Sequence, residues 1–318
     1  MKVVEAKNIT KSFTKKKYKW PKIWSPEKTV QVAVDHLNLE IEEGEFVGFL
    51  GPNGAGKTTF LKILSGIMHP DSGTAKVLGF TPWERKFGYL GQMSMVMGQK
   101  NQLWWDLPAI ESYNMLKDVY SIDEKKFKDN LDMMVEVLDM KTLITKRLRD
   151  MSLGERMKCE LAASLFHDPK ILFLDEPTIG LDVVSSQSIR KFLKTINKEK
   201  KCTMILTSHY MGDIEALCNR VVIINEGKKM YDGLLTDLKN KYAPERKIEI
   251  FLGSLEEKKL FASIKAPKKI SENIGIIRVQ KDKMGDIVTE VFEKFEPENI
   301  SISDIDTEEV IAKLFQKK

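Results

Sequence analysis

The sequence predicts an α/β protein built on a mostly parallel sheet, followed by a small α+β domain. Three observations predict it. Lys170 to Asp175, Cys202 to Thr207 and Arg220 to Ile224 are continuous apolar runs, the pattern of strands buried on both faces of a parallel sheet. Stretches with three- and four-residue apolar spacing alternate with such runs, which implies helices on the faces of that sheet. Near Tyr242-Ala243-Pro244-Glu245 the texture changes to short alternating runs, so a domain boundary is placed after residue 242.

Taken in order, Val3 to Phe13 alternates enough for a first strand. Lys15 to Pro26 holds two prolines and no helical period, and reads as a long loop. Val30 to Ile41 resumes as a strand, and a turn at Glu42-Glu43-Gly44 leads into the short buried strand Glu45 to Leu50. Gly51-Pro52-Asn53-Gly54-Ala55-Gly56-Lys57-Thr58-Thr59 comes next, a GxxxxGK[ST] loop. Its backbone N–H groups suit phosphates, and its lysine reaches the β and γ oxygens. Thr58 to Met68 carries leucine and isoleucine at helical spacing, which adds the partial positive charge of a helix N-terminus at the phosphates. A nucleoside triphosphate is the implied ligand.

Farther on, Met93-Ser94-Met95-Val96-Met97 reads as a strand with one face of adaptable methionines. Residues from about Leu107 to Thr145 are expected to be mainly helical, as is Glu155 to His167. Beyond the boundary, three strands are expected over 247–252, 274–279 and 300–305, with an amphipathic helix at Met284 to Phe295.

Bulk properties narrow the class. The 318 residues are 42% hydrophobic and 31% charged, the balance of a globular chain. No apolar run approaches the ~20 residues that span a bilayer. Met1 to Ala6 is too polar and short for a signal peptide. The cysteines Cys159, Cys202 and Cys218 lack metal-ligand spacing and read as buried thiols in a reducing cytosol. His36, His69 and His167 read as solvent-facing or capping residues rather than ligands. The net charge of +5 is uneven: residues 1–30 carry nine lysines and two glutamates, leaving the other 288 residues at −2. Basic character confined to one segment argues against a chain-wide nucleic-acid surface, and no nucleic-acid partner is expected.

Two further motifs decide what the phosphate loop belongs to. Leu172-Phe173-Leu174-Asp175-Glu176 is an apolar strand ending in adjacent carboxylates. The first suits Mg²⁺ and the second the deprotonation of an attacking water. Met151-Ser152-Leu153-Gly154-Glu155 precedes a helix, Leu181-Asp182 follows the acidic strand, and His209 follows the next strand. With these in order, residues 1 to about 240 resemble the ATP-binding cassette (ABC) transporter ATPases: GPNGAGKTT, a glutamine loop, MSLGE, LFLDEPTIGLD and TSH. The resemblance implies a P-loop NTPase cassette over 1–242, with an antiparallel edge and a helical subdomain at about 104–155. Residues 243–318 then form a small regulatory or dimerisation domain.

The resemblance also implies roles. Gly51, Pro52, Asn53, Gly54, Ala55, Gly56 and Thr59 would wrap the phosphates of ATP, with Lys57 on the β and γ groups. Thr58 and Asp175 would hold Mg²⁺, Glu176 would be the general base, and His209 would contact the γ-phosphate. Asp182 would lie at a dimer seam, and Ser152 and Gly154 would face the nucleotide of a second cassette, either another copy or a homologous ATPase. Gln92 and Gln99 are both candidates for the glutamine that also reaches the metal. Gln99 is preferred because it follows the methionine strand. Phe13, then Tyr18, is the candidate platform for adenine. Leu153 and Glu155 depart from the usual glycine and glutamine of the LSGGQ signature, while Ser152 and Gly154 are retained.

Trp104 and Trp105 sit where the family touches its membrane subunit, so they are either a hydrophobic docking surface or buried in the helical subdomain. Residues 15–28 interleave lysines with Tyr18, Trp20 and Trp24, the composition of an interfacial membrane contact as well as of a solvated hairpin. The long first loop, GQKNQLWWDLP, MSLGE and the small C-terminal domain resemble the drug- and viologen-exporter-like subgroup, which implies an ATP-hydrolysing subunit on the cytoplasmic face of the plasma membrane, working with separate permease subunits, with export favoured over import. A soluble ABC ATPase with a non-membrane partner would more commonly show two cassettes or a long coiled-coil insertion. A silent cassette would have lost Lys57 or Glu176, and both are present.

Overall fold

The computed structural model describes residues 1–19, 22–98, 100–208, 210–294 and 299–316. They form two compact units, Met1–Gly233 and Leu234–Lys318. The division falls before the helix at Leu235–Tyr242, which the sequence reading had placed in the first domain. That helix, which buries Leu235 and Leu238, contacts the chain's last helix within the second unit.

One long hairpin opens the first unit. β1 (Lys2–Lys19) and β2 (Lys22–Glu42) pair antiparallel from Lys2↔Glu42 to Lys19↔Lys22. Of the segment expected as a loop over 15–26, residues 15–19 and 22–26 thus continue the two strands. Pro26 is compatible with this because β2 is an edge strand, where a missing N–H breaks no ladder. Chain order continues with β3 (Phe46–Leu50), α1 (Lys57–Leu64), β4 (Ser72–Val77), the short α2 (Phe87–Leu90) and β5 (Met93–Met97). Then come α3 (Ala109–Val119), α4 (Glu124–Leu138), α5 (Leu153–Ala163), β6 (Ile171–Asp175), α6 (Val183–Lys200), β7 (Thr203–Thr207), α7 (Met211–Leu217), β8 (Arg220–Asn225) and β9 (Lys228–Leu234).

Two sheets result. The antiparallel sheet has the order β2-β1-β4, and the larger has the order β5-β6-β7-β3-β8-β9. Every described pairing from β5 through β8 is parallel. β3 and β7 are buried at every residue, as continuous apolar runs in a doubly covered sheet must be. Met93 and Met95 belong to the main core, but the alternate residues Ser94 and Val96 are buried too, so both faces of β5 are packed.

The second unit holds α8 (Leu235–Tyr242), β10 (Glu245–Phe251), α9 (Leu255–Ala262), β11 (Lys268–Ser271), β12 (Ile274–Gln280), α10 (Met284–Lys294), β13 (Ile300–Asp304) and α11 (Thr307–Gln316). From β10 to β13 the order is βαββαβ, and the antiparallel sheet runs β11-β12-β10-β13, a ferredoxin-like arrangement. It has four strands where three were expected. β11 is an edge strand exposed at every residue and carries two lysines, so it has no alternation to read. Ile248, Ile250, Phe261, Ile277 and Val291 give this unit its own core.

Candidate functional site

The order of the large sheet converges the site. β6, β7 and β3 are neighbours, so Asp175, Thr207 and the loop after Leu50 all emerge at the carboxyl ends of adjacent parallel strands, where α/β sheets bind ligands. The loop turns into α1 through Gly56 at φ 103°, and a Cβ there would lie 2.0 Å from the Ala33 carbonyl of β2. Only glycine allows that approach. No side chain caps α1, which leaves its first amides free for an anion.

A cleft of about 290 Å³ opens over this loop. It is lined by Phe13, Lys15, Gln31, Ala33, Asn53 to Thr59 and Glu176. Lys57 is buried and folds back, donating to the carbonyls of Gly51 at 2.6 Å and Pro52 at 3.0 Å. Burial lowers its pKa from the ordinary lysine value, and the charges of Glu176 and Asp175 oppose that shift. One oxygen of Asp175 accepts from Thr58 Oγ1 at 2.9 Å and Thr207 Oγ1 at 2.6 Å. Glu176 sits in the left-handed region at φ 53°, and its backbone N–H donates to both the carbonyl and hydroxyl of Thr207. Such a position for a non-glycine residue is uncommon and concentrates at functional sites. Phe13 is 38% exposed and lines the cleft. Asp71 braces the neighbouring backbone by accepting from Lys11 Nζ, Ser12 N and Ser12 Oγ, which holds its carboxyl down at about 2.

Among the described residues there is no cluster of three or more acidic, histidine or cysteine side chains able to hold a metal alone. One hydroxyl and one carboxylate suit Mg²⁺, which takes oxygen ligands, keeps waters and draws others from substrate phosphates.

Ser152, Gly154 and Asp182 are not among the residues lining the cleft. They form a cluster of their own. Ser152 caps α5 by accepting from Glu155 N, and Glu155 returns the bond to Ser152 N at 2.7 Å while pairing with Lys146 at 3.0 Å. The carboxylate in place of glutamine thus closes a capping box and a charge pair. The Ser152 amide, then Lys146, holds its pKa below the usual carboxylate value. Asp182 caps α6 through Ser185, whose hydroxyl and amide lower its pKa. Gly154 lies against this cap: a Cβ would stand 2.3 Å from Ser185 Oγ.

Gln99, His209, Trp20 and the side chain of Tyr18 lie outside the described residues. His167 differs from expectation, because it is neither solvent-facing nor a cap. Its ring stacks on Tyr120 at 4.0 Å and its Nε2 meets the Met93 carbonyl at 3.1 Å. Trp104 and Trp105 are 43% and 45% exposed, beside exposed Leu107. The three thiols are buried, and burial raises Cys159 to about 11 and Cys202 to about 12.

Asp213 and Arg190 lie outside every motif read from the sequence. Asp213 of α7 is fully buried and accepts from Arg190 Nε at 2.7 Å, Ser208 Oγ at 3.0 Å and Thr178 Oγ1. It thereby joins α6, the segment two residues past Glu176, and the residue before His209. Thr207 and Ser208 lie in the TSH motif and Thr178 in LFLDEPTIGLD, but only His209, Asp175, Glu176 and Asp182 of those motifs have roles in the sequence reading. The Arg190 and Thr178 contacts of Asp213 and the Thr207–Glu176 bond each cross more than twenty residues, so no local pattern encodes them, while Ser208 lies only five residues from Asp213.

Comparison with known proteins agrees with this geometry. The family model described as ABC transporter matches residues 34–179. The ABC transporter ATP-binding protein NatA of Bacillus subtilis is 33% identical over 228 residues, covering 72% of this chain and 92% of that protein. The probable multidrug ABC transporter ATP-binding protein YbhF of Escherichia coli is 34% identical over 76% of this chain and 39% of its own length. Among solved structures, a dimeric ATP-binding cassette in a post-hydrolysis state, bound to ADP and Pi, matches with a TM-score of 0.61 at 23% identity, covering 73% of this chain and 98% of that one. A structure of the ATP-binding subunit of an ABC transporter matches with a TM-score of 0.62 at 21% identity, covering 76% and 93%. At such identities the likeness is one of fold.

Proposed function

The chain belongs to the ABC transporter ATPases, and from that premise we propose that two cassettes close head to tail over ATP and drive export through separate membrane permease subunits. The observation that carries this reading is the separation of two half-sites. Gly51 to Thr59, Asp175 and Glu176 surround one cleft, while Ser152, Gly154 and Asp182 cluster outside it, available to a second chain.

In this reading the phosphates lie along the loop amides and the first turn of α1. Lys57 leaves its carbonyl partners for the β and γ oxygens. Mg²⁺ supplies charge neutralisation when bound, held by Thr58 and Asp175 with phosphate oxygens. Glu176 accepts the proton of the water that attacks the γ-phosphorus, and the γ-phosphate departs from ADP. Phe13 offers its ring to adenine, Gln99 and His209 take the roles implied by their motifs, and Asp182 meets the partner at the seam. Trp104, Trp105 and Leu107 supply an apolar face for a permease. The second unit acts in regulation or dimerisation. No helix among the described residues is long and apolar enough to cross a membrane. In this reading the chain sits at the cytoplasmic face of the plasma membrane, held by the permease.

Tagged chain recovered from its native membranes tests the reading. A polytopic membrane protein should co-purify and stimulate an ATPase that Lys57→Ala abolishes. Recovery with only soluble partners, at full ATPase activity, would contradict it.

A further inference from the structure

We propose that Glu160 is a positioning residue, which fixes the tryptophan-bearing loop to α5 so that movement of α5 reaches the Trp104–Trp105 surface. The inference rests on the proposed shared nucleotide site, in which Ser152 at the head of α5 meets ATP.

Glu160 lies in the last turn and a half of α5 and is 2% exposed. A buried carboxylate is costly unless it is fully bonded. Its bonds all go to one loop: Gln102 N donates at 3.0 and 3.1 Å to its two oxygens, and Leu103 N donates at 3.3 Å. Burial raises its pKa from the usual carboxylate value, opposed by those two amides. One turn earlier on the same face, the Arg156 guanidinium lies 5.3 Å from the Trp105 ring. Both charged grips on residues 102–105 therefore come from α5. The other described ties of residues 102–105 are neutral: Gln102 Nε2 to the Met95 carbonyl at 2.7 Å, Trp104 N to Ser112 Oγ at 3.3 Å, and backbone bonds from Arg149 N to the Trp105 carbonyl at 3.0 Å and from Leu107 N to the Trp104 carbonyl at 3.3 Å.

Two consecutive amides held by one carboxylate are a directional joint, which an apolar side chain of the same size cannot reproduce. Glu160 stands eight residues from Ser152, about 12 Å along the helix axis. A tilt of α5 at its nucleotide end therefore moves the loop as well.

The test uses the full chain carrying Glu176→Gln, with Trp20, Trp24 and Trp83 replaced by phenylalanine so that Trp104 and Trp105 report alone. ATP binding is followed by calorimetry and the loop by tryptophan emission. The parent should change its emission on binding ATP. Glu160→Leu should shrink that amplitude about fivefold or more while ATP affinity stays within about threefold, a loss of coupling rather than of binding. Glu160→Gln, which keeps one acceptor oxygen, should restore part of it. Arg156→Met should weaken it too, and covers the case in which Glu160→Leu does not fold. Full amplitude in folded Glu160→Leu, or in Arg156→Met if only that variant folds, would overturn the proposal. So would a parent that binds ATP with no emission change. A parent that binds no ATP would overturn the shared-site reading along with it.

Discussion

At the scale of single residues, the carboxylates carry the sharpest expectations. Asp71 has a folded pKa of about 2 against 3.8 for the free group, because Lys11 and Ser12 favour its charged form. A depressed carboxylate contributes stability above its unfolded pKa and loses it as pH falls toward the folded one. The stability gap between the parent and Asp71→Asn should hold steady above about pH 5 and shrink between about pH 4 and 2. Its size should stay below about 1 kcal/mol, because solvent screens this exposed pair. Urea unfolding across that range checks both. Glu176→Gln should lower turnover by ~10²-fold or more while ATP still binds, the usual worth of a general base. Steady-state assays beside calorimetry separate the two effects.

At the scale of elements, Asp213 holds α6, α7 and the tail of the acidic strand in one buried knot. Removing its charge leaves Arg190 inside without a counter-ion, so Asp213→Asn should cost about 3 kcal/mol in denaturant unfolding. An unchanged midpoint would mean that the knot is dispensable. Gly154→Ala should force the first turn of α5 away from the Ser185 cap, at a cost of about 1–3 kcal/mol. Turnover should fall with it. The elements also mark what the sequence could reveal. β3, β6, β7 and β8 were legible because a strand buried on both faces must be apolar throughout, and GxxxxGK[ST] because its glycines answer to backbone geometry. The hairpin over residues 15–28 was not, because cross-strand pairing overrides a local composition of lysine and proline. β11 was hidden by full exposure, and the contacts of Glu160 and Asp213 by their long reach in sequence. Of the candidate site, the phosphate loop and the two acidic residues could be read. The bonds that hold them in place could not.

At the scale of the whole molecule, two units with separate cores should behave as separate folding units. Residues 234–318 expressed alone should give a cooperative thermal transition by circular dichroism, since Ile248, Ile250, Phe261, Ile277 and Val291 all pack within that unit. A broad, non-cooperative signal would show dependence on the first unit. The first unit, in turn, holds the phosphate-loop cleft and, outside it, the Ser152–Gly154–Asp182 cluster, and the account turns on whether a second chain brings the two together. Light scattering of the Glu176→Gln chain, with and without saturating ATP, asks that directly. The account predicts a mass that doubles with ATP and stays single when Ser152 is replaced by a bulky residue such as phenylalanine. A chain that binds ATP tightly yet keeps the mass of one copy would contradict it.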